Sequence, residues 1–453
     1  MTTRISGHVV EPRGLTGLRP RTGGGDPAWL AEARRDAASW AHEHGLPTRK
    51  DEDWRYTRLE PIGQVLFQPS AARVDHDLAS IASEAPGADL GGTRLIFVNG
   101  HLVPELSRLT GLPEGATVTN LATALAEDGE RLRPLLSSPA GPRQHAFAAL
   151  NTALAEDGAF IRLSPGTIVE EPIELVFLSD PGGTALVSSP RSVVIAERGS
   201  QVTIVETHAG IPGDQGGNSL TNAVTELVLE EEAQVEIYRV QDEPETAFQL
   251  GLLDVRQGRN SRFTSHSFAL GSSIGRYEVR VRLESEGAEV SLNGLSMSRG
   301  EQQHDNPILV EHAAPHCTSR QVYKGVADGR SHSVFNGHIV VRPGAFGTDA
   351  RQTNRNLLLS DRAEIDTRPR LEILTDDVKC SHGAAVGRLD EDALFYLRSR
   401  GIPDEAARGI LTFAFANEMV GLIRPEPLRA WVEGLVTDRL SGGAAASREA
   451  IVR

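Results

Sequence analysis

The N-terminal region of the chain carries apolar residues at helical spacing. Trp29, Ala33, Ala37 and Trp40 recur every three to four residues, which places them on one face of a helix. Asp26 precedes them as a candidate cap, with a proline in the first turn, and a glycine follows the last repeat, as is typical of a helix end. Two further helices are predicted at 121–136 and 144–156, and a strand running into a turn at 94–100.

The pattern changes in the middle of the chain, where β-type runs of four to eight residues alternate with Gly, Asn, Asp and Pro. This texture predicts a parallel β-solenoid, in which each coil buries its apolar face by stacking on its neighbours. A Greek-key sandwich is the alternative, but the region is longer than one ordinary sandwich and no helical pattern interrupts it. Four runs that share a small residue before an alternating stretch are 199–204, 232–237, 287–292 and 362–367.

Helical periodicity returns near the C-terminus. Asp390 or Asp392 can start a helix over 393–400, and Asp404 can start a longer one that runs to about Gly421. A third helix is predicted from an amphipathic stripe formed by Leu428, Trp431, Val432, Leu435 and Val436. Together the patterns predict four segments: a mainly helical region 1–159, a β-helix core 160–389, a C-terminal helical domain 390–440 and a disordered tail 441–453.

Composition narrows the classes of function. The 453-residue chain has a formal net charge of −15, so it lacks the basic surface that nucleic acids and anionic membranes require. Its two cysteines cannot build a disulfide framework, no leader-like segment opens the chain, and no apolar run approaches the ~20 residues of a membrane helix. We therefore expect a cytoplasmic protein with reduced thiols. No phosphate-binding loop motif occurs, so we expect no nucleotide bound by this chain itself.

The segment 376–384 (DDVKCSHGA) holds the clearest candidate chemistry. In an extended strand Cys380 and His382 point to the same side and could present a thiolate and an imidazole to one metal ion. Lys379 could lower the pKa of the thiol by charge proximity, although its side chain would lie on the opposite face. A closed zinc or iron–sulfur site usually needs four ligands, and Cys317 lies far away in sequence. Something outside the chain would have to complete the site.

Other constellations favour ordinary structural roles. His312 and His316 have the spacing of helical metal ligands, but Pro315 and strand-like surroundings break that geometry. The carboxylates at 230–232 and 376–377 could serve a glycosidase or lyase, although such charge runs are usually solvated turns. The apolar run 410–416 is explained equally by neighbouring helices that cover it and by a docking surface for another protein.

Two motif regions resemble the SufB/SufD family of iron–sulfur cluster assembly proteins. Residues 50–57 (KDEDWRYT) are similar to its K-x-E-x-W-[KR]-Y-T element. A long block at 354–402, which includes NRNLLLSD and DDVKCSHGA, is similar to the family core. The likeness covers most of the chain from about residue 50 to residue 422.

The resemblance implies a non-catalytic scaffold subunit with a right-handed parallel β-helix between helical regions. It implies pairing with a SufB-type paralogue and docking of the C-terminal domain to SufC, an ABC-type ATPase. Cys380 and His382 match positions at the SufB interface, where iron or a transient iron–sulfur cluster would be shared with the partner chain. A homodimer of the isolated chain is an alternative pairing. The apolar side chains expected to dock the ATPase are Phe395, Ile410, Phe413 and Phe415.

The same comparison favours the SufD branch over the SufB branch. SufB carries a functional cysteine in the stretch that corresponds to 360–364, where this chain has Ala363, and an acidic Glu-His-Glu element where this chain has 379–382 (KCSH). Two other classes of function stay open at this point. The chain could be a carbohydrate-active β-helix enzyme, or a purely structural solenoid in which Cys380 and His382 have no chemical role.

Overall fold

A parallel β-solenoid of about seven turns forms the centre of the computed structural model, with helices towards both termini. The structure describes residues 15, 18–21, 26–70, 90–136, 146–211 and 217–440, so the predicted disordered tail lies outside the described residues. The predicted fold class, mainly β with a solenoid core and flanking helices, is confirmed. The Greek-key alternative is wrong, because successive strands of the solenoid pair in parallel rather than antiparallel.

The solenoid has two sheets, and each coil contributes one strand to each sheet. Sheet A contains β1 (Gln68–Pro69), β4 (Ala116–Asn120), β5 (Ala159–Leu163), β7 (Leu186–Ser188), β8 (Arg191–Ala196), β10 (Ser219–Leu229), β12 (Phe248–Gln257), β14 (Ile274–Leu283), β16 (Gln303–His312), β18 (His332–Val341) and β20 (Glu364–Ile373). Sheet B contains β2 (Arg94–Val98), β3 (His101–Leu102), β6 (Ile173–Ser179), β9 (Gln201–Gly210), β11 (Gln234–Asp242), β13 (Arg262–Ala269), β15 (Glu289–Ser298), β17 (Thr318–Ala327), β19 (Asp349–Leu358) and β21 (Lys379–Gly387).

Alternation along the strands builds the core between the two sheets. Val202 pairs with Val235, and Val235 pairs with Phe263, so equivalent apolar side chains stack from coil to coil. All three are buried in the main hydrophobic cluster, which runs through the solenoid. A parallel sheet provides this in-register stacking at every rung, and each coil therefore depends on the coil before and after it.

The small residues predicted before the strands lie at the corners of the coils. Gly199 and Gly287 have φ angles of +69° and +72°, in the left-handed region that glycine adopts without steric cost. A β-carbon at Gly287 would also lie 2.3 Å from Asn260 Oδ1, so the corner leaves no room for a side chain. The repeated motif therefore marks the turn that carries the chain from one sheet into the other.

The N-terminal end of the solenoid is closed. There β4 pairs antiparallel with β5, and β3 pairs antiparallel with β2, so hairpin-like pairs end both sheets. The helices of this region are α1 (Ala28–His44), α2 (Glu60–Gly63), α3 (Leu121–Leu136, kinked at Asp128) and α4 (Ala146–Leu154). Asp26 does not cap α1 as the sequence suggested. Its carboxylate lies 2.9 Å from Nε of the buried Arg34, which needs a counter-charge.

The C-terminal helices pack on the outer face of sheet B. They are α5 (Glu391–Ser399), α6 (Asp404–Val420) and α7 (Glu426–Leu440). Asp390 caps α5 by accepting bonds from the backbone N–H groups of Asp392 and Ala393. The predicted stripe on α7 is confirmed, since Leu428, Val432 and Val436 are fully buried. No helix within the described ranges is long and apolar enough to cross a membrane.

Candidate functional site

The C-terminal end of the solenoid is open. β20 is the last strand of sheet A and β21 the last strand of sheet B, and no other strand of the described part of the chain pairs with their free edges. The side chains of β21 are mostly exposed and those of β20 half-buried, whereas earlier rungs are largely buried. A bare strand edge is a template for pairing with another chain, and proteins usually protect it.

Cys380 and His382 lie on this open rung. Cys380 pairs with Ala350 and His382 with Gln352 of the preceding strand β19. Cys380 is half-buried and packs against the interior cluster, so the alternation of the strand also directs His382 towards the solenoid axis. His382 is exposed because no further rung covers it. The predicted sharing of one strand face is thus present, at the place where the stack of coils ends.

The electrostatic setting of Cys380 keeps its thiol protonated. Burial raises the pKa of the Cys380 thiol above its ordinary value, and the nearby Asp349 carboxylate raises it further. The lowering of this pKa by Lys379 that the sequence suggested is wrong, because the raising effects outweigh any attraction from that amine. A metal ion would have to displace the thiol proton, so any metal binding at Cys380 would strengthen as pH rises.

The described residues place no third ligand beside Cys380 and His382 to form a metal-binding group. Nowhere among them do three His, Cys, Asp or Glu side chains come together in a group that could hold a metal ion. Cys317 is a free, fully buried thiol whose S–H donates to the Ser285 carbonyl oxygen at 3.3 Å. Burial raises its pKa as well, so Cys317 serves as a core residue.

His304, His312 and His316 occupy ordinary structural settings, as favoured from the sequence. His312 is buried in β16, with Nε2 2.9 Å from Ser319 Oγ, and burial lowers its pKa to about 4. His316 occupies a turn with φ +58°, where its ring meets the ring of Phe346 edge-on. The pair therefore shares neither a helix nor a face. Buried His304 is likewise bonded, to Ser296 and Gly271.

The four predicted docking side chains lie in two different settings. Phe395 on α5 is 73% exposed and stands beside the exposed Tyr396. Phe413 and Phe415 on α6 are half-buried against the cluster between the helices and sheet B, and Ile410 on the same helix is also half-buried. Of the four, Phe395 offers the largest apolar surface to a partner.

Lys324 of β17 joins α6 to the solenoid. Its buried amine donates to the Phe415 carbonyl oxygen at 2.8 Å, lies 2.6 Å from Glu418, and sits 4.2 Å from the centre of the Phe415 ring. Sequence reasoning missed this contact. The signal available was a lysine in an otherwise apolar and small-residue stretch of a strand, in a chain with very few lysines.

The carboxylates considered for an enzyme do not meet. Residues 230–232 are exposed in the turn that follows β10, and residues 376–377 are exposed in the turn that follows β20. Five rungs at ~4.8 Å each separate the two strands, about 24 Å. A glycosidase needs its two carboxyl groups within about 5–10 Å of each other. The two runs are thus solvated turns, as favoured from the sequence.

Two family models match the chain. Residues 177–415 match the model described as "SUF system FeS cluster assembly, SufBD core domain". Residues 24–175 match the model described as "SufBD protein N-terminal region". The chain belongs to the SufBD family of iron–sulfur cluster assembly proteins.

Individual relatives point to one branch of that family. An iron–sulfur cluster assembly SufBD family protein of Synechocystis sp. is 33% identical over 88% of this chain and 89% of its own length. The iron–sulfur cluster assembly protein SufD of Escherichia coli is 31% identical over 88% of this chain and 90% of its own length. SufD of Bacillus subtilis is 25% identical over 87% and 90%. The resemblance to SufD that the sequence motifs indicated is confirmed.

Proposed function

We propose that this chain is a non-catalytic scaffold subunit of an iron–sulfur cluster assembly complex. Its open solenoid end pairs with a SufB-type paralogue, and Cys380 and His382 contribute to a site for iron or a nascent cluster that is completed by that partner. The iron and the cluster are cargo, held transiently and passed on. Family membership supports the general role, and the geometry of the open end supports the pairing.

The proposal rests on one observation: the unpaired edge of the sheet also carries two metal-ligand side chains that are too few to form a site alone. Cys380 and His382 lie on the last rung, where a partner strand would stack within about 5 Å. One thiolate and one imidazole leave two positions of a tetrahedral site open. A partner that pairs with β21 brings its own side chains to those positions, so pairing and ligand completion become one event.

Docking of a SufC-type ATPase is the second part of the proposal. Phe395 and Tyr396 form an exposed aromatic pair on α5, away from the cluster that joins the helices to sheet B. Aromatic side chains are enriched at the centres of protein interfaces, because they bury a large area at a small entropic cost. The buried contact of Lys324 with α6 gives a firm connection through which a force on the helices reaches the solenoid.

The two other hypotheses have less support. A carbohydrate-active enzyme needs a carboxylate pair, and the acidic runs considered for it lie about five rungs apart (~24 Å). A purely structural solenoid would need no thiol and imidazole on the pairing edge. Cytoplasmic location fits reduced thiols at this edge and belongs to the same proposal.

Iron and acid-labile sulfide per complex test the proposal. The chain is co-expressed with SufB-type and SufC-type partners and purified without oxygen, as wild type, His382→Ala and Cys380→Ala. His42→Ala, at an exposed position of α1, is the matched control. We expect all four complexes to form, with iron reduced several-fold in the two edge variants and unchanged in the control.

A different pattern would identify one of the alternatives. Full complex formation with unchanged iron in His382→Ala and Cys380→Ala would make the edge pair structural and assign the chemistry to the partner. Turnover of a polysaccharide by the isolated chain would favour the enzyme.

A further inference from the structure

Residues 51–57 of the motif 50–57 form a strap across the outer face of sheet A. It contains a single helical turn, Glu52–Trp54, and an almost wholly buried anchor formed by Trp54 and Thr57. The guanidinium group of Arg276 on β14 lies 3.8 Å from the centre of the Trp54 ring. Arg276 also donates to Asp305 of β16 and, at 3.1 Å, to Thr57, which itself donates to Asp305. The rear of the strap is therefore fixed on two interior rungs.

Glu52 and Asp53, the front of the strap, contact the terminal strand β20. Glu52 Oε1 lies 3.2 Å from Arg368 Nη2 and 2.9 Å from Arg370 Nη1, and Asp53 lies 3.7 Å from Arg370. Both arginines belong to β20, the free edge of sheet A. The strap thus connects the N-terminal region to the open end of the solenoid, across more than 300 residues of sequence.

Between anchor and front, the strap spans β18 without packing closely on it. A small open cleft lies there, lined among others by Asp53 of the strap, Asn336 and His338 of β18, and Arg370 of β20. The buried Oδ1 of Asn336 has no protein hydrogen-bond partner. The strap therefore contacts β20 through the charged groups at its front and through the ring of Tyr56, whose centre lies 5.8 Å from the guanidinium carbon of Arg368.

The outward face of β20 is held by polar contacts along its length. Asp366 lies 2.8 Å from His332 Nε2, and Glu372 lies 3.3 Å from His338 Nε2, both on β18. The strap supplies the partners of the two arginines between them. Because β20 has a neighbouring strand on one side only, these contacts replace the support that a next rung gives an interior strand.

We propose that the strap is a positioning device for the open edge: Glu52 holds β20 in register through Arg368 and Arg370, and so presents the edge to the partner solenoid. Only the last clause rests on the proposed function. Exposed ion pairs are weak one by one, so the effect is local: the terminal strand loses order while the buried anchor keeps the strap on the solenoid.

Hydrogen exchange of the full isolated chain tests the device. In Glu52→Gln we expect the backbone amides of β20 to exchange about three- to tenfold faster than in wild type, since loss of about two exposed ion pairs corresponds to this range. Amides of β14 and β16, under the anchor, keep their rates. The matched control is Glu245→Gln, which removes the exposed pair formed with Arg299, 3.1 Å away and remote from β20.

A double variant that lacks both arginines tests whether they mediate the effect of Glu52 on β20. In the double variant Arg368→Gln/Arg370→Gln, Glu52→Gln should cause no further acceleration in β20. Unchanged exchange of β20 in Glu52→Gln, or equal acceleration in all rungs, overturns the inference. Because the isolated chain is measured, failure of partner pairing in the iron experiment leaves this result independent.

Discussion

Both ends of the solenoid consist of the same kind of coil, but the N-terminal end is closed and the C-terminal end is open. At the N-terminal end, β3 and β4 turn antiparallel and close both sheets, and helices cover the neighbouring surface. At the C-terminal end, β20 and β21 keep the parallel geometry of the coils and stop. The C-terminal helices could have covered this edge but pack on the outer face of sheet B.

The two ends therefore suit different roles. Repeat proteins need terminal caps because an unfinished coil leaves apolar side chains and backbone hydrogen-bonding groups exposed. The closed end is a cap of this kind. The open end keeps Ile373 and Val386 more than 40% exposed next to the Cys380/His382 pair, which is tolerable where another chain supplies the missing rung. The asymmetry is the structural argument for a pairing surface.

Matched leucine truncations give the largest expected contrast between interior and edge. Leu292 is fully buried inside the solenoid, whereas Leu371 of β20 is half-buried at the open end of the same cluster. Leu292→Ala should lower the free energy of unfolding by about 3 kcal/mol, through lost burial and the cavity left behind. Leu371→Ala should cost about 1 kcal/mol in the isolated chain, because its surroundings are solvated. Urea unfolding followed by circular dichroism measures both.

The same pair of variants also tests what the open end is for. In the complex with a SufB-type partner, Leu371→Ala should weaken association, because a partner rung would bury that side chain. Equal losses of stability for the two variants in the isolated chain would mean that the C-terminal end is closed in solution. The two ends of the solenoid would then not differ as described above.

Acid should weaken the interior through its neutral histidines. Burial lowers the pKa of His312 to about 4, from an unfolded value near 6.5. The unfolded chain therefore binds the proton more readily, and stability falls as pH drops from about 6.5 towards 4. This linkage amounts to about 2 kcal/mol at pH 5. We expect His312→Gln to lose that much less stability than wild type between pH 7 and pH 5.

Urea unfolding at the two pH values measures this difference, and His42→Gln, at an exposed position of α1, is the control. An identical pH dependence in His312→Gln and wild type would show that His312 is hydrated in solution, and that this part of the interior is as open as the edge.

Local signals were sufficient to predict the solenoid and its helices. A small residue before an alternating run marks corners such as the one at Gly287, where a left-handed backbone and a crowded turn exclude larger side chains. The caps and stripes of the C-terminal helices depend on neighbours within one or two turns, and Asp390 and Val432 occupy the expected places. The Cys380/His382 pair also follows from strand alternation alone.

Local signals did not identify the two partners of a contact between distant segments. Nothing near Glu52 in sequence indicates Arg370, because the contact exists only once the coils have brought β20 beneath the strap. Lys324 and Phe415 meet for the same reason, when α6 packs on sheet B. Asp26 failed as a cap because a buried arginine from the next turns of the helix competed for its carboxylate. Burial, which decides such competitions, is a property of the folded chain.

Hydrogen exchange with and without the SufB-type partner tests the central claim, that the open end is the pairing surface. Amides of β20 and β21 should become strongly protected in the complex, while β3 and β4 at the closed end keep the rates of the isolated chain. A parallel sample with only the SufC-type ATPase should leave β20 and β21 unchanged. Protection that appears at the closed end, with β20 and β21 unaffected, would contradict the account.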